Sequence, residues 1–264
     1  MKTMLFRSFI ELTNHRLTSS MLRCFSRSKL SKPLIKPFAT TFQLKEFEMS
    51  KALSEYEHLH DLFIRELKPG VRVTDKEHQS MVSPVDGVLA QSGNLDNETL
   101  FHVKGQTYNI EEMLGTQEAA KPYQNGYYFI LYLSPSHYHR IHSPVDGTII
   151  RQWKLGALSY PVNDMGLRYG KKPLSRNYRL ITEVKVDGKQ LAIVKVGAMN
   201  INTIELTHEG NSLKKGEEMA YFSFGSTVVL LFEHGLISDV DLKENKEVMV
   251  GQKLANLDRK EETS

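Results

Sequence analysis

Cysteine is almost missing: Cys24 is the single thiol among 264 residues. One thiol excludes an intramolecular disulfide framework and any cysteine-rich metal site, and it fits a reducing compartment. No stretch approaches eighteen consecutive apolar residues, so a helix spanning a membrane is not expected. Acids are nearly absent from the first 45 residues, where Glu11 stands against nine cationic side chains: Lys2, Arg7, Arg16, Arg23, Arg27, Lys29, Lys32, Lys36 and Lys45. Over the whole chain the charges almost cancel, and a formal net charge of +3 is too small to argue for a nucleic-acid partner. What remains is long enough to bury one large core, with or without an N-terminal appendage.

The acid-poor segment is patterned. Leu5, Phe9, Leu12, Leu17, Met21, Leu22 and Phe25 recur at roughly helical spacing, with Arg7, Glu11 and Arg16 off that face. A basic amphipathic helix suits an anionic membrane surface, where apolar burial and attraction to lipid phosphates act together. Helices packing on the domain, or a mitochondrial transit segment, would carry a similar composition. The division expected is a membrane-associating arm at 1–45 and a catalytic domain at 46–264.

Ser54-Glu55-Tyr56-Glu57 reads as a capping box, and Leu59, Leu62, Phe63 and Leu67 continue at helical spacing until Pro69-Gly70. Beyond it the pattern turns to short β segments at 129–133, 147–153, 180–186, 191–196 and 227–232, separated by Asp-Gly, Asn-Gly and Glu-Gly turns. The fold class expected is α+β, with N-terminal amphipathic helices followed by a β-rich, barrel-sandwich-like body. Ser-Pro-Val-Asp-Gly occurs at 83–87 and again at 143–147, which points to two related hairpins.

Chemistry is suggested by Phe224-Gly225-Ser226-Thr227, which opens the apolar run Val228–Phe232. A serine after glycine has its hydroxyl close to a carbonyl that no side chain shields. Attack on that carbonyl gives an ester; elimination gives a dehydroalanine that hydrolyses to a pyruvoyl ketone. Gly-Ser-Thr by itself is common as a strand-start turn, so supporting residues are needed.

They stand in Met81-Val82-Ser83-Pro84-Val85-Asp86-Gly87, in His137-Tyr138-His139-Arg140-Ile141-His142-Ser143-Pro144-Val145-Asp146-Gly147, in Leu67-Lys68-Pro69-Gly70 and in Lys195-Val196-Gly197-Ala198-Met199-Asn200. In this order, over about residues 60 to 234, these blocks closely resemble the phosphatidylserine decarboxylase proenzymes, of the bacterial kind. Spacing cannot choose between Asp86 and Asp146, since Val-Asp-Gly is first of all a turn. The resemblance implies that Asp86 is the acid of the site and that Asp146 belongs to the turn.

Further implications come from the same resemblance. Asp86 orients His142, and His142 activates Ser226 for cleavage between Gly225 and Ser226 into chains 1–225 and 226–264, which stay together as a heterodimer. The pyruvoyl group made from Ser226 is the covalent cofactor; it forms a Schiff base with phosphatidylserine, and loss of carbon dioxide leads to phosphatidylethanolamine. His139 is the candidate proton donor, with His142 as the alternative. The implied location is the cytoplasmic side of the cell membrane, held peripherally, with the mitochondrial inner membrane as the alternative. Phe224 departs from the family, where leucine is frequent; both are bulky and apolar.

Other readings compete. Three histidines within six residues invite a metal, but no cysteine is near and a carboxylate would have to come from Asp86 or Asp146; no metal is expected. Arg168, Lys171, Lys172, Arg176 and Arg179 read as a solvated loop before they read as a phosphate site. Paired Val-Asp-Gly hairpins with an Ala198-Met199-Asn200 tip also resemble biotinyl or lipoyl carrier domains, yet the tip has no lysine to modify. A serine hydrolase would need Gly-x-Ser-x-Gly, which is absent around Ser226.

Overall fold

The computed structural model describes residues 21, 23–95, 100–162, 164–198, 204–223, 226–240 and 244–258, the side chains of 164 and 165 excepted. Residues 1–20 and 22 of the basic arm, the cleavage-site residues Phe224 and Gly225, and the Met199-Asn200 tip lie outside the described residues.

Among the described residues sixteen strands carry the body. The first group is β1 (Ser80–Val82), β2 (Gly87–Asn94), the hairpin β3 (Leu100–Val103) and β4 (Gln106–Asn109), and β5 (Tyr127–Leu133). Then come β6 (Arg140–His142), β7 (Gly147–Leu155), β8 (Arg179–Val186), β9 (Lys189–Gly197), β10 (Ile204–Leu206) and β11 (Ser212–Leu213). The last are β12 (Glu218–Phe222), β13 (Ser226–Phe232), β14 (Ile237–Ser238), β15 (Lys246–Val248) and β16 (Lys253–Leu257). Eight of them form one sheet in the order β11-β7-β8-β9-β13-β5-β2-β15, and two three-stranded sheets, β10-β12-β6 and β14-β16-β1, join it around one core. The sheets are open, and with the helices they make an α+β fold.

Along β13 the side chains alternate between two cores. Val228, Leu230 and Phe232 pack with Ile141, Ala220 and Phe222 of the small sheet, while Val229 and Leu231 pack on the other face with Met113, Leu114 and Leu174 from the helices α3 (Ile110–Leu114) and α6 (Pro173–Arg176). Because both faces of this strand are covered, it reads as an unbroken apolar run rather than an alternation. Truncating one of these side chains to alanine would cost ~2–5 kcal/mol.

The two Ser-Pro-Val-Asp-Gly segments meet across a pseudo-two-fold axis. The amide of Val82 donates to Pro144 O (3.0 Å) and the amide of His142 donates to Pro84 O (2.8 Å). In each copy the serine hydroxyl donates to the valine carbonyl, Ser83 to Val85 at 2.7 Å and Ser143 to Val145 at 2.6 Å. Gly87 and Gly147 then open β2 and β7 with no room for a side chain: a Cβ would lie 2.6 Å from Tyr132 O in the first and 2.5 Å from a Val184 methyl in the second. The strand order inherits the relation, with β7-β8-β9 on one side of the centre answering β2-β5-β13 on the other.

The N-terminal part differs from its sequence pattern. The Ser54 capping box is not where the helix begins; the Ala52 amide donates to Glu55 Oε2 (2.6 Å) and closes a 3-10 turn, Leu53–Glu55. The helix proper, α2 (Leu59–Phe63), starts after His58, whose Nδ1 accepts from the Asp61 amide at 3.0 Å. Leu67 bridges to Met49 instead of extending the helix, in keeping with the bias of residues near Pro69 toward extended backbone. A third core of Ile35, Ala39, Leu44, Met49, Tyr56 and Leu62 ties α1 (Ile35–Thr41) to this segment, across residue 45. No described helix is long and apolar enough to cross a membrane.

Candidate active site

Several strand ends converge at one edge of the large sheet. Ser226, the first residue of β13, lies between Leu133 at the end of β5 and Gly197 at the end of β9. Val88, next to Asp86-Gly87, pairs with Tyr132. Strands lie ~4.8 Å apart, so the start of β2 is roughly 10 Å from Ser226, two strands over.

Ser226 shares its face with Val228 and Leu230, so its side chain enters the core between the large sheet and the small ones. The residue is fully buried, and among the described residues its Oγ has no hydrogen-bond partner. A buried hydroxyl without a partner costs about 1–3 kcal/mol. Such a cost marks a position held for chemistry or for another occupant.

His139 lies on the same side. Its carbonyl accepts from the Phe222 amide (3.0 Å), which fixes it beside the last residue of β12, four residues before Ser226. The ring packs on Phe63 with centroids 4.0 Å apart. Nδ1 faces His137 O at 2.8 Å and must donate, so the neutral ring leaves its lone pair on Nε2, and this atom too has no partner among the described residues. Burial, reinforced by the charge of Arg65, pushes the His139 pKa well below the usual histidine value. The ring is therefore a neutral base at pH 7.

His142 is satisfied differently. Its Nδ1 donates to Gly216 O (2.8 Å), and its Nε2 accepts from the Tyr138 hydroxyl (3.2 Å). It pairs with Glu218, four residues before Phe222, or ~13 Å back along β12. Burial lowers its pKa as well, although the hydrogen bond to Gly216 opposes the shift.

Asp86 is buried and clasped by Arg72, whose Nε lies 2.9 Å from Oδ1; the Val250 amide donates to the same oxygen at 2.9 Å. Arg72 also reaches Glu48 at 2.8 Å. Its own burial would lower the guanidinium pKa, but the hydrogen bonds to Asp86 and Glu48 outweigh that and raise it. Among the described residues no direct hydrogen bond links Asp86, His142 and Ser226, each of which has its own surroundings. Asp146, half-buried, accepts from the Lys215 amide at 3.2 Å.

Some members of the site escaped sequence reasoning. Arg65, Arg72 and Tyr138 touch the loops that carry Asp86 and the histidines, and His60 Nε2 lies 3.2 Å from Ser223 Oγ beside the cleavage segment. Burial, then the charge of Arg27, pushes the His60 pKa down to about 4. Arg65 and Arg72 flank the Leu67-Lys68-Pro69-Gly70 block, which was the available signal. The basic cluster at 168–179 is not wholly solvated: Arg179 is buried and donates to Met113 O, Asn177 O and Glu112 O, capping α3. Among the described residues no three His, Cys, Asp or Glu side chains are grouped to hold a metal.

Known proteins resemble this chain over nearly its whole length. The family described as phosphatidylserine decarboxylase matches residues 59–256. A phosphatidylserine decarboxylase proenzyme of Geobacillus kaustophilus (strain HTA426) is 56% identical over 255 residues, which cover 96% of this chain and 97% of the relative. Proenzymes of the same name from Bacillus cereus (strain AH187) and Bacillus mycoides (strain KBAB4) are 53% identical over 256 residues, covering 97% of this chain and 98% of each relative. The molecule is therefore a decarboxylase. The chain belongs to the phosphatidylserine decarboxylase family.

Proposed function

We propose that this chain is a zymogen that cuts itself between Gly225 and Ser226 and then decarboxylates phosphatidylserine to phosphatidylethanolamine. The observation that carries the reading is the buried Ser226 hydroxyl, unpartnered at the head of β13 and on the His139 side of the core. That site fits a pyruvoyl group built from Ser226, because the residue is sealed from water and leaves no hydrogen bond unmade when its hydroxyl is consumed. Once formed, the ketone offers an electrophile to the substrate amine and a sink for the electrons left as carbon dioxide departs.

In the first stage Ser226 Oγ attacks the Gly225 carbonyl carbon, and the peptide C–N bond breaks to give an ester and a free amine. Loss of the Ser226 α-proton then expels the Gly225 carboxylate. Water enters, ammonia leaves, and the ketone remains at the head of chain 226–264, held to chain 1–225 as a heterodimer by β13 between β5 and β9. The family resemblance gives the base role to Asp86 and His142, which requires His142 to give up the Tyr138 hydroxyl. A second reading rests on the free Nε2 of His139, which would serve Ser226 without rearrangement. In the second stage His139 Nε2 first takes up a proton released by the substrate ammonium as the imine forms, and then delivers it to the substrate α-carbon after carbon dioxide leaves.

The natural site of action is a membrane surface, approached peripherally from the cytoplasmic side. Met21, Leu30, Leu34, Phe47 and Val73 are exposed apolar side chains, interleaved with Lys29, Lys32, Lys36 and Lys45. Intact-mass analysis tests the reading: wild-type protein is expected as two fragments divided between Gly225 and Ser226, and Ser226→Ala as one. Fully active wild-type material that is still a single chain would overturn it, and so would borohydride trapping of the substrate on a lysine instead of the small fragment.

A further inference from the structure

Arg65 follows α2 and is buried, only 5% exposed. Its Nη2 serves two loop carbonyls, Ser136 O at 2.7 Å and His137 O at 2.8 Å. Its Nη1 has no partner among the described residues, and no carboxylate there forms an ion pair with it. Arg72, beside it, is already neutralised by Asp86 and Glu48. Asp86 and Glu48 act on the Arg65 charge only from a distance, so its Nη1 is left without a direct partner; a buried donor of this kind is costly, and a ligand anion is one way to offset it.

The surroundings fit such an anion. Arg65 lines a cavity of about 220 Å³ whose other charged groups are Lys45 and Arg72 on one side of the balance and Glu48, Asp86 and Glu247 on the other; Glu48 is shared by Lys45 and Arg72, and Asp86 is held by Arg72. That volume is below the ~300 Å³ at which drug-sized sites begin, so a head group fits and a pair of acyl chains does not. Phe42 lines the rim and is itself exposed, and the exposed Phe47 and Val73 are chain neighbours of the lining residues Glu48 and Arg72. Chains can therefore stay in an apolar phase while the head group enters. The loop that Arg65 grips starts one residue after Leu133, the cross-strand partner of Ser226.

We propose that Arg65, with Lys45 at the mouth, binds the phosphodiester of an aminophospholipid head group and thereby aims its amine at residue 226. This rests on the reading above and assigns it a substrate contact. The head group of phosphatidylserine has two anionic groups, and the chemistry chooses between them. The carboxylate loses its charge as carbon dioxide forms, so a cation fixed on it would stabilise the ground state more than the transition state. The phosphodiester keeps its charge throughout. Four bonds of about 1.5 Å separate its phosphorus from the amine, a reach of roughly 5 Å, so a head group anchored at Arg65 extends its amine beyond the lining residues of the cavity, toward the end of β5 and residue 226. An anion on Arg65 would also offset the charge that, after burial, helps hold the His139 pKa down, and so make it easier for that ring to take up the proton it transfers.

The test compares the processed fraction of wild type, Arg65→Lys and Arg65→Gln on phosphatidylserine in mixed micelles. KM is expected to rise by at least ~10-fold in Arg65→Gln, less in Arg65→Lys, while kcat changes by under about threefold. Glycerol 3-phosphate, which has the phosphate ester but no amine, is expected to compete with substrate and to raise the wild-type melting temperature, more strongly than inorganic phosphate does. An unchanged KM in the variants, or no competition and no thermal shift in wild type, would overturn the inference. Inorganic phosphate acting equally well while the lipid KM is unmoved would reduce Arg65 to a general anion site and overturn it too. If Arg65→Gln yields no processed protein, Arg65→Lys and the wild-type competition decide. Wild type that releases no carbon dioxide from phosphatidylserine would instead defeat the functional reading, and glycerol 3-phosphate binding would still report on Arg65.

Discussion

The two halves of the body solve the same folding problem and differ where the chain turns. Between β8 and β9 the connection is a tight turn at Asp187-Gly188, with both residues at positive φ, as a two-residue hairpin requires. The equivalent strand ends in the other half are Leu133 and Ser226, which are paired but not joined. The chain leaves Leu133 for the histidine segment, passes through the β10-β12-β6 sheet and the other half of the large sheet, and returns at Ser226. What is a closed turn in one half is an open seam in the other, and the buried hydroxyl stands at the seam. A chain cut there loses no hairpin, because β13 keeps both of its neighbours.

The same comparison separates the two aspartates. Both accept one backbone amide from the equivalent turn, Asp86 from Val250 and Asp146 from Lys215. Only Asp86 also binds a guanidinium, that of the largely buried Arg72. Asp86→Ala should therefore cost ~3–5 kcal/mol, because it leaves Arg72 half-unpaired inside the protein, whereas Asp146→Ala should cost ~1 kcal/mol for a lost turn contact. Denaturant unfolding of both variants in a Ser226→Ala background, where neither can be cut, makes the comparison clean. Equal losses would mean that the halves are alike at this position and that Arg72 contributes little.

Histidine 139 has a counterpart as well. Its carbonyl receives the Phe222 amide as Gln79 O receives that of Leu257, so the backbone role is common to both halves and the ring belongs to one. His139→Ala should lower decarboxylation by ~10²-fold or more, and Gln79→Ala should leave it near wild type, measured as carbon dioxide release per processed chain. His142→Ala sharpens the assignment: a block in processing there, with His139→Ala still processed, supports the relay through His142. The reverse result gives the base role to His139.

Legibility in the sequence followed the same division. The strands at 129–133, 180–186 and 227–232 were readable because β-branched and aromatic runs between Gly-containing turns report local preference directly. The doubled Ser-Pro-Val-Asp-Gly pointed to two related hairpins, since a turn that must bury its serine and open on a glycine leaves few substitutes; the two-fold relation between them needed the strand pairing. Arg65 and Arg72 were not readable: their partners are loop carbonyls and an aspartate, brought near by tertiary packing that no periodicity records. The helix start also misled, because Glu55 found its amide at Ala52, within a single 3-10 turn.

The smallest effect concerns a residue with no part in the chemistry. At equivalent positions, one half packs Phe129 against Phe232 edge to face, with centroids 5.6 Å apart, and the other sets Lys195 Nζ 2.7 Å from Thr182 Oγ1. Lys195 is fully buried, and burial lowers its pKa to about 7 from 10.5. Between those values the unfolded chain holds a proton that the folded chain does not, so stability rises with pH across that window and is lost as pH falls toward 7. Lys195→Met removes the amine and keeps the length of the side chain, at the expense of one donor to Thr182. It should stabilise the protein by ~1 kcal/mol near pH 7, and the gap to wild type should close as pH is raised toward 10. Melting temperatures of the two proteins at pH 7, 8 and 9 measure this directly, and a gap that stays constant with pH would mean that the amine remains charged in the core.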